Sequence, residues 1–367
     1  MAQTDTLTPA EHRFPCDNCG SDFRFDPASG NLICDHCGNT QQVEDGTRHN
    51  ALSELDYATA IAAKLPEAEI EETRVLSCPN CGAQVEFDAD THAAECPFCA
   101  TPVVTDTGTH RHIKPKGLLP FALDEEAARA AMTDWLGSLW FAPNGLTDYA
   151  RKGRKMSGIY VPYWTFDADT KSEYRGRRGD DYYVNKTVMR DGKRETVRVR
   201  KTRWRNVSGR VARFFDDVLV LAATSLPKRF TDRLEPWDLA ELRPYTPEFL
   251  AGFRAEGYTI ELPQGFDEAK AHMNRVIERD VRFDIGGDHQ QITDLRTQTR
   301  DVTFKHILLP VWLAAYKYRG KTYRFVVNGR SGAVQGERPW SAWKIAIAVI
   351  LGALLAGAIG AALALSQ

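Results

Sequence analysis

The sequence predicts an α+β protein with two small cysteine-built units at one end and a single apolar helix at the other. Three observations carry this: eight cysteines in a repeated pattern, a middle region rich in strand-like segments, and an uncharged run before the C-terminus. The chain has 367 residues, enough between the two ends for one or two domains with cores of their own.

Cys16, Cys19, Cys34 and Cys37 read C-x2-C-x14-C-x2-C, and Cys78, Cys81, Cys96 and Cys99 repeat the pattern 62 positions later. Four thiolates from two knuckles meet the needs of a closed tetrahedral zinc site, with no position left open for a substrate. Units of this size bury too little apolar surface to fold alone, so ligation must contribute about 10–16 kcal/mol to each. Gly20, Gly38 and Gly82 follow a knuckle's second cysteine, where a tight turn is required, while Ala100 holds the fourth such place. The expected units are a zinc ribbon over residues 1–44 and a second over 75–106, joined by a helical and acidic stretch over 45–74. Two structural Zn2+ sites are therefore the expected cofactors. A disulfide framework is the competing reading, opposed by the regular knuckles and by the lack of an N-terminal signal segment.

The second end is as informative. Ile345 to Leu365 carries no charge and reaches the length of about 20 residues that a bilayer crossing requires. Trp340, Trp343 and Lys344 precede it, where interfacial anchors belong, and only Ser366 and Gln367 follow. Residues 339–367 are therefore expected to form a tail anchor, single-pass in a bacterial inner membrane. Arg319, Lys321, Arg324, Arg330, Arg338 and Lys344 on its N-terminal side place the rest of the chain in the cytoplasm. Gly352, Ala356, Gly360 and Ala364 recur every four residues and would let two helices approach closely, giving a homo-oligomer or a partner helix. Accidental spacing in an Ala/Gly-rich helix explains the same stripe.

Residues 107–338 read as a mixed α+β cytoplasmic domain. Ala51 to Lys64 patterns as a helix, Thr101 to Pro120 as a Pro/Gly/Thr-rich linker, and Asp124 as the N-cap of a helix reaching Leu139. Short strands are expected from Gly158 to Ala223, then a helix including Phe266 to Arg279 with Ala269, Met273, Val276 and Ile277 on one face. Strands are expected again from Val281 to Val334. The segments IYVPYWTFD from Ile159 and ILLPVWLAAY from Ile307 each place a proline two residues before a tryptophan. An internal duplication accounts for this likeness, and so does chance; in either case the proline is expected to open its strand.

Charge is segregated although the net charge is only −2. Residues 1–110 hold 19 Asp/Glu against 5 Lys/Arg, whereas residues 171–213 hold 15 Lys/Arg against 5 Asp/Glu. An acidic ribbon end is poorly suited to phosphates. The basic block, with Arg198, Arg200, Arg203 and Arg205 beside Trp204, suits anionic lipid, the acidic ribbons, an acidic protein or nucleic acid, and reads equally as a simple solvated face.

The double ribbon, the GIYVPYW segment at Gly158, the tail from Phe325 to Pro339 and the terminal apolar helix together resemble a group of bacterial membrane proteins. These carry TFIIB-type zinc-ribbon or "primosomal protein N′-like" labels. The resemblance covers nearly the whole chain, and its VNG-x-SG-x-V-x-GERP tail is its most specific part. Similar proteins are encoded beside genes for phage-shock-protein-A-like and SPFH-type proteins, which implies a membrane-recruitment role and no established enzymatic activity.

Catalytic patterns are thin. Gly320-Lys321-Thr322 lacks the first glycine of a phosphate loop, having Ala315 there, and sits between strand-like segments, so the chain is not a helicase motor. No nucleophile elbow, HExxH or dinucleotide fingerprint occurs, and every cysteine is committed to a knuckle. Asp180-Asp181, Asp216-Asp217, His110, His112 and His289 read as solvated. The expectation is a non-enzymatic, membrane-anchored zinc-ribbon adaptor that recruits phage-shock-A-like or SPFH-type proteins. The alternative is a membrane-tethered nucleic-acid binder using residues 171–213.

Overall fold

The structure, a computed structural model, describes residues 14–43, 52–86, 93–99, 101–104, 108–143, 156–190, 193–318, 321–338 and 340–365. In chain order, β1 (Phe23–Asp26), β2 (Asn31–Cys34) and β3 (Thr40–Gln42) form a first small sheet, and β4 (Leu55–Asp56) leads into α1 (Tyr57–Ile61). Next come β5 (Ile70–Ser77), β6 (Gln84–Glu86), β7 (Ala93–Glu95), β8 (Pro102–Val104), β9 (Gly108–Ile113), β10 (Gly117–Leu118) and α2 (Glu125–Ser138). β11 (Ser157–Arg190) and β12 (Lys193–Leu221) are followed by α3 (Lys228–Thr231), β13 (Arg243–Pro244) and β14 (Arg254–Ala255). α4 (Leu262–Ile285), β15 (His289–Tyr318), β16 (Lys321–Asn328), β17 (Val334–Gly336) and α5 (Ala342–Leu365) complete an α+β fold that is mostly sheet.

Three antiparallel strands in the order β12–β11–β15 form the spine. They run for 29, 34 and 30 residues, so β11 alone is on the order of 110 Å long. The sequence suggests several short strands here, with Arg178-Gly179-Asp180-Asp181 outside them. That segment is instead paired throughout, with Gly179 opposite both Trp204 and His289. The segments containing Pro162 and Pro310 pair with each other, Tyr160 facing Pro310 and Pro162 facing Leu308. Neither proline opens its strand. The carbonyl of Pro162 accepts from Ala222 and that of Pro310 from Gly329, so each missing N–H lies on the outer side, where the neighbouring strand has just ended.

Both faces of this part of the spine are covered, which explains its nearly continuous apolar sequence. Tyr160, Leu308, Trp312, Phe325 and Val327 face one core, with Phe25 and Leu32 of the first cysteine unit and Met132 and Leu136 of α2. Ile159, Val161, Tyr163, Ile307, Leu309 and Val311 alternate with them and face a second core, with Val85 and Phe98 of the second unit and Phe230, Leu234 and Trp237. The two cysteine units thus clamp opposite faces of one sheet.

Asp124 caps α2 as its sequence suggests, accepting from the Ala127 amide at 2.8 Å. The helix expected over 51–64 is confined to Tyr57–Ile61 by β4, which pairs with β15. The expected linker over 101–120 is largely strand: β10 is fully buried and parallel to β15 at Ile307 and Leu308. The helix expected around 266–279 extends to Leu262–Ile285, so strand does not resume until His289.

α4 lies along the spine on the first unit's face. Phe266, Ala269, Met273, Ile277, Val281 and Ile285 pack against Trp164, Phe166, Ala168 and Tyr174. Gly265 permits the closest approach, since a Cβ there would stand 2.6 Å from Cδ1 of Trp164. With 24 residues, α4 is about 36 Å long and supports the spine only as far as Gly176, beside Ile285.

Glu256 lies fully buried where the second unit joins the spine. Its N–H donates to Tyr160 at 2.9 Å, and its backbone bridges Val85 of β6. Burial pushes its carboxyl up to about 8 from an ordinary 4.5, only partly opposed by the Ser225 hydroxyl. A raised folded pKa means that the folded state holds this proton more tightly. The resulting stability is complete below the ordinary glutamate value and is lost as pH rises through about 8. Glu256→Gln is therefore expected to unfold like the wild type at the acid end of that window. Its relative stability then grows by about 1.4 kcal/mol per pH unit at the steepest. Thermal melts in detergent across the window check this; a constant offset between the two proteins would contradict it.

Candidate metal centres

Each cysteine cluster is built by its backbone before any ion is considered. The amides of Gly20, Gly38 and Gly82 donate to Cys16, Cys34 and Cys78 at 2.8, 2.8 and 2.9 Å, closing the knuckle turns. All three glycines adopt positive φ, 75°, 73° and 74°, the region that a side chain disfavours. The amides of Cys16, Cys34, Cys78 and Cys96 donate in turn to Ser21, Asn39, Ala83 and Thr101. Ala100 lies outside the described residues.

In the first cluster Cys16 and Cys37 lie 3.6 Å apart at sulfur, and Cys19 and Cys34 3.5 Å. In the second, Cys78 and Cys99 are 3.5 Å apart and Cys81 and Cys96 3.6 Å. All four sulfurs of each cluster lie within 4.8 Å of one another. A tetrahedral ion bonded to sulfur at about 2.3 Å sets its ligands about 3.8 Å apart, so the donor sets fit a zinc-sized ion. Burial pushes the Cys16 thiol up, but the amides of Asn18 and Cys19 and the Asn39 side chain outweigh it and bring it down to about 6. Burial likewise raises Cys99, and Thr101 and Asn80 bring it down to about 6. Each cluster thus favours the thiolate at one of these sulfurs, whereas against the Ser21 amide burial and the neighbouring cysteines push Cys19 up to about 12, and they raise Cys78 and Cys81.

The clusters are also structural plugs. Cys16 and Cys34 belong to the first core and Cys78 and Cys96 to the second, while Cys19 and Cys37 face solvent. Phe25, between the two knuckles, donates its amide to Ala251 at 2.9 Å and stacks edge-on against Phe249 at 5.3 Å. The ribbons are covers of the sheet rather than modules held away from it, and they rest on its apolar faces rather than on the basic block.

That block forms the far part of the spine. Opposite α4, Lys171, Arg175 and Arg177 of β11, Arg210 of β12 and Arg296 and Arg300 of β15 line an exposed face. β15 begins at His289, opposite Gly179, so from Asp180 outward only β11 and β12 remain, as a two-stranded arm about 35 Å long. Residues 182–203 carry eight Lys/Arg against two acidic residues. Arg198 and Arg200 lie on one face of the arm, with Tyr183, whereas Arg203 and Arg205 lie on the other. Arg198 stands 4.2 Å over the Tyr183 ring, Arg203 5.2 Å over Tyr182 and Arg177 5.2 Å over Trp204. Asp181, which reads as solvated in the sequence, pins the arm's base: it accepts from Thr202 at 2.6 Å and meets His289 at 3.1 Å and Arg200 at 3.4 Å.

The sequence reading also missed a polar cluster where the strands leave the double-covered region. Buried Lys305 lies 2.8 Å from Glu54 and 2.9 Å from Asp217, whose amide donates to Asp167 at 2.7 Å. Burial and the neighbouring Glu54 push Asp167 up to about 7. Burial raises Glu54 too, but Asp167, Lys305 and Thr303 hold it well below the usual range. Asp217, expected to be solvated, sits beside a β-bulge with φ of 50°. Its signal, an Asp-Asp pair, does not distinguish a bulge from a turn. Of the phosphate-loop lookalike, Ala315 lies within β15 and Lys321-Thr322 within β16, and the two strands pair.

Among the described residues, one helix is long and apolar enough to cross a membrane: 19 residues of α5, Ala342–Gly360, have a mean hydropathy of 2.2 and bury nothing in the protein. Gly352 and Gly360 have open space around them.

No protein-family model matches the chain, and no solved structure does. It is 27% identical over 336 residues to the uncharacterized protein YdjG of Bacillus subtilis strain 168, spanning 91% of this chain and 92% of that protein.

The full-length protein purified without chelator is expected to carry two zinc ions, read by elemental analysis against protein concentration. Cys34→Ser should remove one of them. It should also lower stability by an amount comparable to the whole net stability of a domain, about 5–15 kcal/mol, because Cys34 is part of the sheet's cover. An unfolding midpoint unchanged by the substitution would show that the ribbon is dispensable to the fold.

Proposed function

We propose that the protein is a non-enzymatic adaptor, anchored by α5 in a bacterial inner membrane with the remainder in the cytoplasm. On this reading zinc fills both tetra-thiolate sites and acts structurally. The cations N-terminal to α5, among them Arg324, Arg330, Arg338 and Lys344, support that orientation.

The observation that carries the recruiting role is the arm. An isolated two-stranded hairpin is marginal in water, yet this one extends beyond the last core contact with its charges displayed on both faces. Such an element presents itself to an anionic partner, and the resemblance noted above makes phage-shock-A-like or SPFH-type proteins the candidates. The ribbons serve this arrangement by holding the spine rigid. A second reading, nucleic-acid binding, draws support from exposed Tyr182, Tyr183 and Trp204 among arginines, which suit base stacking.

Deleting the ribbons would uncover both sheet faces, so the test keeps the full chain. Wild type and a variant with Arg198, Arg200, Arg203 and Arg205 changed to Glu are purified from detergent-solubilised membranes, with and without nuclease. A stoichiometric protein partner that survives nuclease and is lost from the variant is expected. Retention by the variant removes the arm from recruitment, and loss on nuclease treatment establishes the nucleic-acid reading instead.

A further inference from the structure

α2 ends at Ser138 and delivers a short loop, Leu139 to Pro143, to the start of the apolar helix. The loop is fixed, not free. Ala142 is buried with Met132 and Leu136, the Ser341 amide donates to the Phe141 carbonyl at 2.8 Å, and Lys344 Nζ donates to the Ala142 carbonyl at 2.8 Å. The Phe141 and Trp340 rings lie 6.4 Å apart, and Arg338 stands 4.2 Å over Trp340.

At the tip of this fixed loop, Trp140 is 84% exposed, beside Trp340 at 57% and Trp343 at 67%. An indole is costly to leave in water, and ordinary folding buries it. Three exposed indoles thus lie on two segments distant in sequence that are joined through Phe141 and Ala142 where the bilayer-length helix begins. The headgroup layer accepts an amphipathic ring whose N–H still finds partners, so indoles concentrate there.

We propose that the Leu139–Pro143 loop is a second membrane contact, with Trp140 seated in the lipid headgroup layer beside the first turn of α5. This rests on the reading of α5 as a bilayer-spanning helix. A single helix leaves the attached domain free to tilt. A second contact, held to the helix by two hydrogen bonds and carried by α2, fixes which end of the domain lies on the membrane.

The test places the photoreactive residue benzoylphenylalanine singly at Trp140, Val349 or Phe283 of the full chain. Val349 lies within α5, and Phe283 is 90% exposed on α4, away from the loop. The proteins are reconstituted in phosphatidylethanolamine/phosphatidylglycerol liposomes, irradiated, and analysed for lipid adducts by mass spectrometry. Adducts at 140 and 349 but not at 283 are expected. Adducts at 349 alone overturn the loop contact and leave the helix reading standing. No adduct at 349 overturns the helix reading and the loop contact with it. Adducts at all three positions also overturn the proposal, because the domain then lies flat on the bilayer and the loop is no distinct contact.

Discussion

The molecule depends on one constraint: a sheet segment apolar on consecutive residues must be covered on both faces. Ile159 to Tyr163 and Ile307 to Val311 send alternate side chains into two separate cores. The covers are the two cysteine units, neither large enough to fold by itself. An ion held at each cluster would contribute about 10–16 kcal/mol, against a net domain stability of about 5–15 kcal/mol. The cysteine units and the sheet therefore share their cores, although the cysteines come from the first 99 residues and the strands from the middle and end of the chain.

From that clamped base the spine changes character in stages. Where it is covered twice it carries almost no charge. Where α4 covers one face, polar and charged side chains of both signs occupy the other, and the Glu54–Lys305–Asp217–Asp167 cluster marks the passage at a bulge. Past Gly179 the third strand is gone and both faces are wet. Each loss of cover is matched by a rise in charge along the same strands, as burial energetics require.

Much of this was legible in the residues, and the failures have physical causes. The cysteine spacing located both clusters because four-thiolate ligation tolerates few geometries. Asp124 declared its cap, and α5 and the apolar face of α4 declared themselves by composition and period. The spine did not. Strands average about five or six residues, so glycines and aspartates read as ends. Gly176 and Gly179 instead sit mid-strand where a Cβ would crowd the backbone of Gln291 and the side chain of Thr202. The expected linker held β10, whose two residues are too few for any period to show, and its strand character comes from tertiary pairing with β15. The docking of the ribbons was hidden because acidic surface composition says nothing about which inner residues meet the sheet. The likeness between the two proline-tryptophan segments is explained by their being paired partners with the same environment; the fold shows no duplication.

The arm has one further property that follows from where β15 stops. Beyond Asp181, whose amide is taken by Asp288, β11 from Tyr182 to Arg190 has no β15 partner on its outer side, and an open edge of this kind invites addition of a strand from another molecule. Lysines and arginines along both strands make two copies repel each other at that edge, and the repulsion weakens as salt shortens the screening length from about 10 Å to about 3 Å. The charges that attract a partner of opposite sign are thus also what keeps the molecule from polymerising through its own arm. Neutralising them in bulk would remove a safeguard against aggregation along with a binding surface.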